Sequence, residues 1–200
     1  MEILDYFVFG SIVAFYILFI GRTVQLQARG IQPIVIGKGK SGLKRILEFG
    51  FLVGLGIWTV ETVSHATNST FHILSDTACE RLFEVAALQL VGVVLTVLGF
   101  ALFAWALISF GHSWRVGIDL DNPSELVTTG AFALSRNPIF LYMDTYLIAM
   151  SLFYSTPFFL AAAAITIIGI HFQIRQEEAF LTHQYGAAYT DYIGRVRRYL

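Results

Sequence analysis

"VAALQLVGVVLTVLGFALFAWALISFGHSW", Val85–Trp114, runs thirty residues without an aspartate, glutamate, lysine or arginine. As a helix rising about 1.5 Å per residue it would reach roughly 45 Å, longer than the ~30 Å hydrocarbon core of a bilayer. It is read as a membrane span with one end projecting into the headgroup region. Composition agrees. Of the 200 residues, 56% are apolar and 14% charged, against about 25% charged in an ordinary soluble domain. A net charge of -1 supplies no basic surface for nucleic acid. The single cysteine, Cys79, excludes a disulfide framework and a thiolate metal cluster.

Working outward, four more apolar stretches flank this one. Ile3–Gly21 has Glu2 and Asp5 at its edge; it lacks a basic n-region and a small-residue cleavage site, so a retained span is expected rather than a signal peptide. Ile46–Val60 carries Gly50-x-x-x-Gly54, a spacing that lets helix backbones approach closely in lipid. The uncharged run Thr145–Ile174 is broken by Ser155-Thr156-Pro157. Pro138–Tyr154 and Pro157–Ile174 then read as the arms of a helical hairpin, each started by a proline. The expected fold is all-α, with about five membrane spans, the last two forming the hairpin, and a helix in the tail. Residues 1–110 supply spans, and residues 111–200 carry the chemistry within the same structural unit.

Charge orients the spans. Arg22, Arg29, Lys38, Lys40, Lys44 and Arg45 follow the first span with no acidic residue among them. Glu61, Asp76, Glu80 and Glu84 stand against Arg81 between the second and third. Basic loops stay inside, so the N-terminus is expected outside, with the Trp114–Asn137 connection and the tail bearing Arg195, Arg197 and Arg198 in the cytoplasm. The ends of a hairpin lie side by side, which brings Arg136-Asn137 next to Arg175-Gln176-Glu177-Glu178. Two readings of these residues stand open at this point. The arginines can be interfacial anchors and the glutamates a solvated pair, or together they wall a polar pocket open to cytosol and lipid. Asp144 divides in the same way, between a functional intramembrane carboxylate and a group reaching for the boundary. His65, His72, His112, His171 and His183 show no metal-ligand spacing, and no metal is expected.

The ordered motifs "LVTTGAFALSRNPIF" (Leu126–Phe140) and "RQEEAFLTHQYGAAYTDYIGRVRR" (Arg175–Arg198), with an apolar hairpin between them, resemble the C-terminal half of the isoprenylcysteine carboxyl methyltransferase family and of the related phospholipid methyltransferases. The resemblance covers roughly residues 111–200. It implies an integral membrane enzyme that takes S-adenosyl-L-methionine from the cytosol and methylates a lipid or lipid-linked acceptor. By position it implies cofactor contacts at Ser124, Glu125, Leu126, Val127, Phe132, Asn137, Pro138, Ile139, Phe140 and Glu177. It also implies a substrate-handling arginine, for which Arg175 stands nearest. Asn137 replaces the family's histidine, Ser124 another, and Phe132 and Phe140 replace tyrosines. Asparagine still donates and accepts hydrogen bonds, and phenylalanine keeps a flat face for adenine.

The chemistry such a site needs is modest. An aligned, desolvated nucleophile about 3–3.5 Å from a methyl sulfonium supplies most of the acceleration. Arg136 offers a planar fork at the pocket wall that suits a carboxylate. A carboxylate acceptor needs no base, whereas an amine must first lose a proton. Beside the carboxyl O-methyltransferase reading stand a phospholipid N-methyltransferase and a non-catalytic membrane protein of the same fold. A transporter would show internal repeats and broken helices at the midplane, and the sequence has no repeat.

Overall fold

A computed structural model describes residues 2–34, 42–114 and 125–200, without the side chains of residues 43–45 and 47–48. Ser124, Lys38 and Lys40 lie outside the described residues, as do the side chains of Lys44 and Arg45. Among the described residues seven helices follow one another: α1 (Ile3–Gln27), α2 (Leu43–Ala66), the single turn α3 (Asp76–Cys79), α4 (Ala86–Phe110), α5 (Pro138–Tyr154), α6 (Pro157–Tyr185) and α7 (Ala187–Arg195). Short 3-10 turns occupy Gly111–Ser113 and Gly130–Ala133. The fold is all-helical.

Local chemistry sets the boundaries. Asp5 reaches back to the Glu2 amide at 2.8 Å and closes the start of α1. That helix runs past the expected Gly21, because nothing between Arg22 and Gln27 breaks it and Leu26 is fully buried. In α4 the thirty-residue run divides: the helix stops at Phe110, and Gly111 takes a φ of 52°. A β-carbon would be strained there. The hairpin turns at Ser155, left-handed at φ 49°, and the Thr156 hydroxyl accepts the Phe159 amide at 3.3 Å to cap α6. α6 then continues well beyond the expected Ile174. It has 29 residues, about 43 Å at the helical rise. Its last turns therefore carry the charged residues from Arg175 to Glu178 beyond its uncharged stretch. Gly186, at φ 54°, breaks it from α7.

By length and composition α1, α4 with its extension to Ser113, and α6 can each cross a membrane; α5 is apolar but has only 17 residues. α4 and α5 form the tightest pair. Gly92 lies against the Ala149 carbonyl and the Phe153 ring, and Gly99 against Thr145 and Tyr142. The absent side chains let the two backbones close up. The Tyr142 ring then stacks on Phe103, with centroids 4.4 Å apart and planes 9° from parallel. Trp58, Tyr146 and Met150 complete this core. The pair expected to do such work, Gly50 and Gly54, faces no neighbour within 4 Å. Helix phase turns it outward.

The polar groups gather at two ends. At one, Asn68 donates to Asp5 at 3.0 Å, and the Leu82 amide donates to the Ser155 carbonyl at the hairpin turn. At the other, Arg22 bonds the Gly111 carbonyl and Arg29 meets His112. The Gly130 turn and the far ends of α5 and α6 share this second end, since the Ala131 amide donates to Ser109 near the end of α4.

Candidate functional site at the open end of the hairpin

The site begins with a glycine that cannot be replaced without strain. Gly130 has a φ of 63°, and a Cβ built on it would stand 2.2 Å from Ser109 Oγ. The turn it makes delivers Ala131 and Phe132 into a small core of their own, where Phe132 packs edge-on to Phe110 and against Tyr189 and Tyr192 of α7. Tyr192 donates its hydroxyl to the Phe132 carbonyl at 2.6 Å, and burial pushes that phenol up to about 12. Leu126 and Val127 pack on the same cluster, whereas Glu125 is exposed.

From there the chain enters Ser135-Arg136-Asn137, and the tail closes over it. The Arg136 amide donates to the Arg197 carbonyl at 3.0 Å. The Arg198 carbonyl accepts from Ser135 Oγ at 3.2 Å and from Asn137 Nδ2 at 3.1 Å. Pro138 is buried at the first position of α5, where its missing amide costs no helical bond. Ile139 leans on the main core, and Phe140 is half-buried one turn on.

Opposite stands Glu178. Ile170, Ile174 and Glu178 recur every fourth residue of α6 and are all buried, so this stripe faces inward. Arg136 Nη2 lies 2.8 Å from one Glu178 oxygen. Arg198 donates to the other from Nη2 at 2.6 Å and from Nε at 3.0 Å. The Arg136 contact is close but poorly aligned, and it leaves Arg136 Nε and Glu178 Oε1 buried without a hydrogen bond. Two guanidinium groups share one carboxylate, an excess of one positive charge in a partly dry site. Glu177, about 100° round the helix, is half-buried and accepts from Gln173 at 3.1 Å. Arg175 is exposed.

The expected neighbours Arg136, Asn137 and the glutamate pair are thus brought together, with Glu178 as the ion-pairing member and Arg198 in the place pictured for Arg175. Sequence reasoning missed Arg198 and Ser135. The only signal for Arg198 was its membership in the basic run Arg195–Arg198, which does not distinguish it from Arg195, exposed and bonded to the Asp191 carbonyl.

A second cluster lies at the opposite end. Glu61, His65 and His72 place ligand-type atoms within 4.8 Å of one another, although their spacing in sequence suggested no metal. Glu61 is fully buried and its oxygens are in use. One accepts the Ile73 and Leu74 amides at 2.7 and 3.0 Å; the other meets His72 Nδ1 at 2.7 Å and the Cys79 thiol at 3.4 Å. Burial, and then the Glu61 carboxylate, push that thiol up to about 11. The arrangement anchors the loop between α2 and α4.

No curated protein matches the chain. A family model does: residues 88–188, just over half of the chain, match that of the phospholipid methyltransferases, a stretch that contains α4 from its third residue on, the Gly130 turn, the hairpin and Glu178. The chain belongs to the phospholipid methyltransferase family.

Proposed function

We propose that this protein is an integral membrane methyltransferase that draws S-adenosyl-L-methionine from the cytosol and methylates a lipid or lipid-linked acceptor arriving through the bilayer. Five spans are proposed, α1, α2, α4, α5 and α6, with the N-terminus outside and the open end of the hairpin in the cytoplasm. The observation that carries the reading is the Arg136–Glu178–Arg198 network, with its excess positive charge and its unbonded Arg136 Nε. Such a group suits the carboxylate of the cofactor, and charge-assisted pairs of this type are the strong ones. Glu177, on the rim, suits its ammonium. Asn137 and Phe140 would line the same wall, while Phe132 supports it from behind with its ring in the α7 core.

Bound there, the cofactor supplies an electrophilic methyl group. The chain's own contribution is orientation and the exclusion of water. Pro138 fixes the turn into α5, and the tail from Val196 to Tyr199 covers Ser135 to Asn137. Two acceptor chemistries remain open to such a site, an ionised carboxylate and an amine.

The test is a titration of S-adenosyl-L-methionine into detergent-purified protein, followed by methyl transfer to lipid acceptors. Saturable binding in the micromolar range supports the reading, and no binding sinks it. In Arg136→Lys a single ammonium cannot copy the guanidinium fork. Transfer is expected to fall at least about tenfold, roughly 1.4 kcal/mol in the barrier, with the protein still folded. Asn137→His, which restores the family's residue, is expected to retain activity.

A further inference from the structure

The loop between α2 and α4 folds back on the last turns of α2 around three side chains of the kind that metals use. Glu61 and His65 are four residues apart and so share one face of α2. The loop returns His72 to them, and one ligand-type atom from each of the three lies within 4.8 Å of the other two. The two imidazole rings meet edge to face, with centroids 4.9 Å apart. Glu61 is fully buried, whereas the His72 side chain is 19% exposed and leaves a way in from the surface. From Glu61 to Glu84 the chain holds four carboxylates against one arginine, a balance that draws cations to this end.

His65 is the telling residue. Its Nδ1 stands 2.8 Å from the Glu61 carbonyl and its Nε2 3.1 Å from the Cys79 carbonyl. Both partners only accept, and a neutral imidazole has a single N–H to give. The nearer carbonyl takes that hydrogen at Nδ1, the usual arrangement for a histidine that ligates through its other nitrogen. The Nε2 lone pair then faces an oxygen lone pair, a repulsive contact until positive charge lies between them. Glu61 is oriented in the same manner. Its Oε1 accepts the Ile73 and Leu74 amides at 2.7 and 3.0 Å, which aims Oε2 at His72 Nδ1, 2.7 Å away. Outer hydrogen bonds of this kind are what fix carboxylate and imidazole ligands in metal sites.

We propose that Glu61 Oε2, His65 Nε2 and His72 Nδ1 bind one zinc ion, with the Cys79 carbonyl at the fourth position. Two imidazoles and a carboxylate suit zinc, whereas calcium and magnesium take oxygen ligands. At bond lengths of about 2.0–2.2 Å, tetrahedral ligand atoms stand roughly 3.3–3.6 Å apart. His72 lies outside any helix and needs to back away from Glu61 by only about 0.6 Å, binding as the tautomer with its hydrogen on Nε2. The ion ties the end of α2 to the loop at His72 and to α3. It also steadies the hairpin turn, because the His65 ring lies 5.0 Å from that of Tyr154 and 5.4 Å from that of Phe159. This end is the one opposite the Arg136–Glu178–Arg198 network, so the ion is structural and stands apart from methyl transfer.

The experiment uses the full chain in detergent, dialysed against a chelator, and reads zinc bound per chain together with the thermal unfolding midpoint. One zinc per chain is expected. The midpoint should rise by about 5–10 °C once free zinc reaches about a hundred times its Kd, and magnesium or calcium should not move it. His65→Gln and His72→Gln should each lose at least about a hundredfold in zinc affinity, the upper range seen for outer-shell partners. Without metal, both should unfold within a few degrees of the metal-free wild type. Should His65→Gln fail to fold, His72→Gln decides alone, since glutamine keeps a donor for Glu61. His183→Gln, exposed on α6, and Cys79→Ser, which keeps the backbone carbonyl, should bind zinc as the wild type does. Zinc binding lost in either of these, or kept in His72→Gln, overturns the ligand set. A wild type that takes up no zinc overturns the proposal. So does one whose midpoint answers to acidification and not to zinc, because His65 is then an imidazolium donating to both carbonyls.

Discussion

Glu177 and Glu178 are neighbours in sequence with separable roles, and the separation makes a test. Glu178 is the shared partner of two guanidinium groups, and its side chain is 11% exposed. Glu178→Gln leaves both cations facing an amide and loosens the tail, at an expected cost of about 2–3 kcal/mol, read as an earlier thermal unfolding in detergent. Glu177→Ala is expected to change stability by no more than about 0.5 kcal/mol. It should instead weaken cofactor binding by about 1–3 kcal/mol, the scale of a lost charged hydrogen bond. If the two variants unfold alike, the inward stripe of α6 is misassigned. Gly130 is the other residue on which the site turns. Alanine at its φ of 63° would be strained and would press on Ser109, so Gly130→Ala should cost about 1–3 kcal/mol. An unchanged unfolding midpoint would show that the turn relaxes freely.

Among the elements, the hairpin was legible in advance because prolines and a small polar turn announce helix starts locally. α5 has the expected bounds, Pro138–Tyr154, and α6 the expected start. The end of α6 was not legible. Arg175-Gln176-Glu177-Glu178 reads as a boundary by hydropathy, yet these residues favour helix well enough for the rod to continue to Tyr185. Glycine use was misleading for a related reason. Gly50 and Gly54 have the spacing of a contact motif but face outward, whereas Gly92 and Gly99, seven apart, seat α4 on α5. Gly99→Leu is therefore expected to lower stability by about 1–3 kcal/mol through overpacking, with Gly50→Leu near neutral in the same melt. The reverse order would move the helix contact to α2.

At the scale of the whole molecule, the two polar ends carry opposite tasks. One holds Asp5, Asn68, the Glu61 anchor and the hairpin turn; the other holds the Arg136–Glu178–Arg198 network. A reporter fused after Leu200 should be cytoplasmic, and one inserted near Asn68 external, given the basic first loop. Both on one side would refute the odd span number. The Glu61 end also bears on Cys79, whose raised thiol should react with maleimide far more slowly than a free cysteine at neutral pH. Fast labelling would mean that the Glu61 anchor opens.

Sequence by itself determined the helical class, the apolar helices, the hairpin and the gathering of Arg136, Asn137 and the glutamates at one end. Those features are local: a charge-free run, a proline or a motif keeps its meaning wherever the chain goes. Tertiary structure alone decided which glutamate turns inward, that Arg198 rather than Arg175 completes the network, which glycines bear a helix contact, and that Glu61, His72 and Cys79 meet. Each of these depends on helix phase, where one residue is about 100°, or on segments such as Ser135 and Arg198 that lie far apart in the chain and touch only once it has packed.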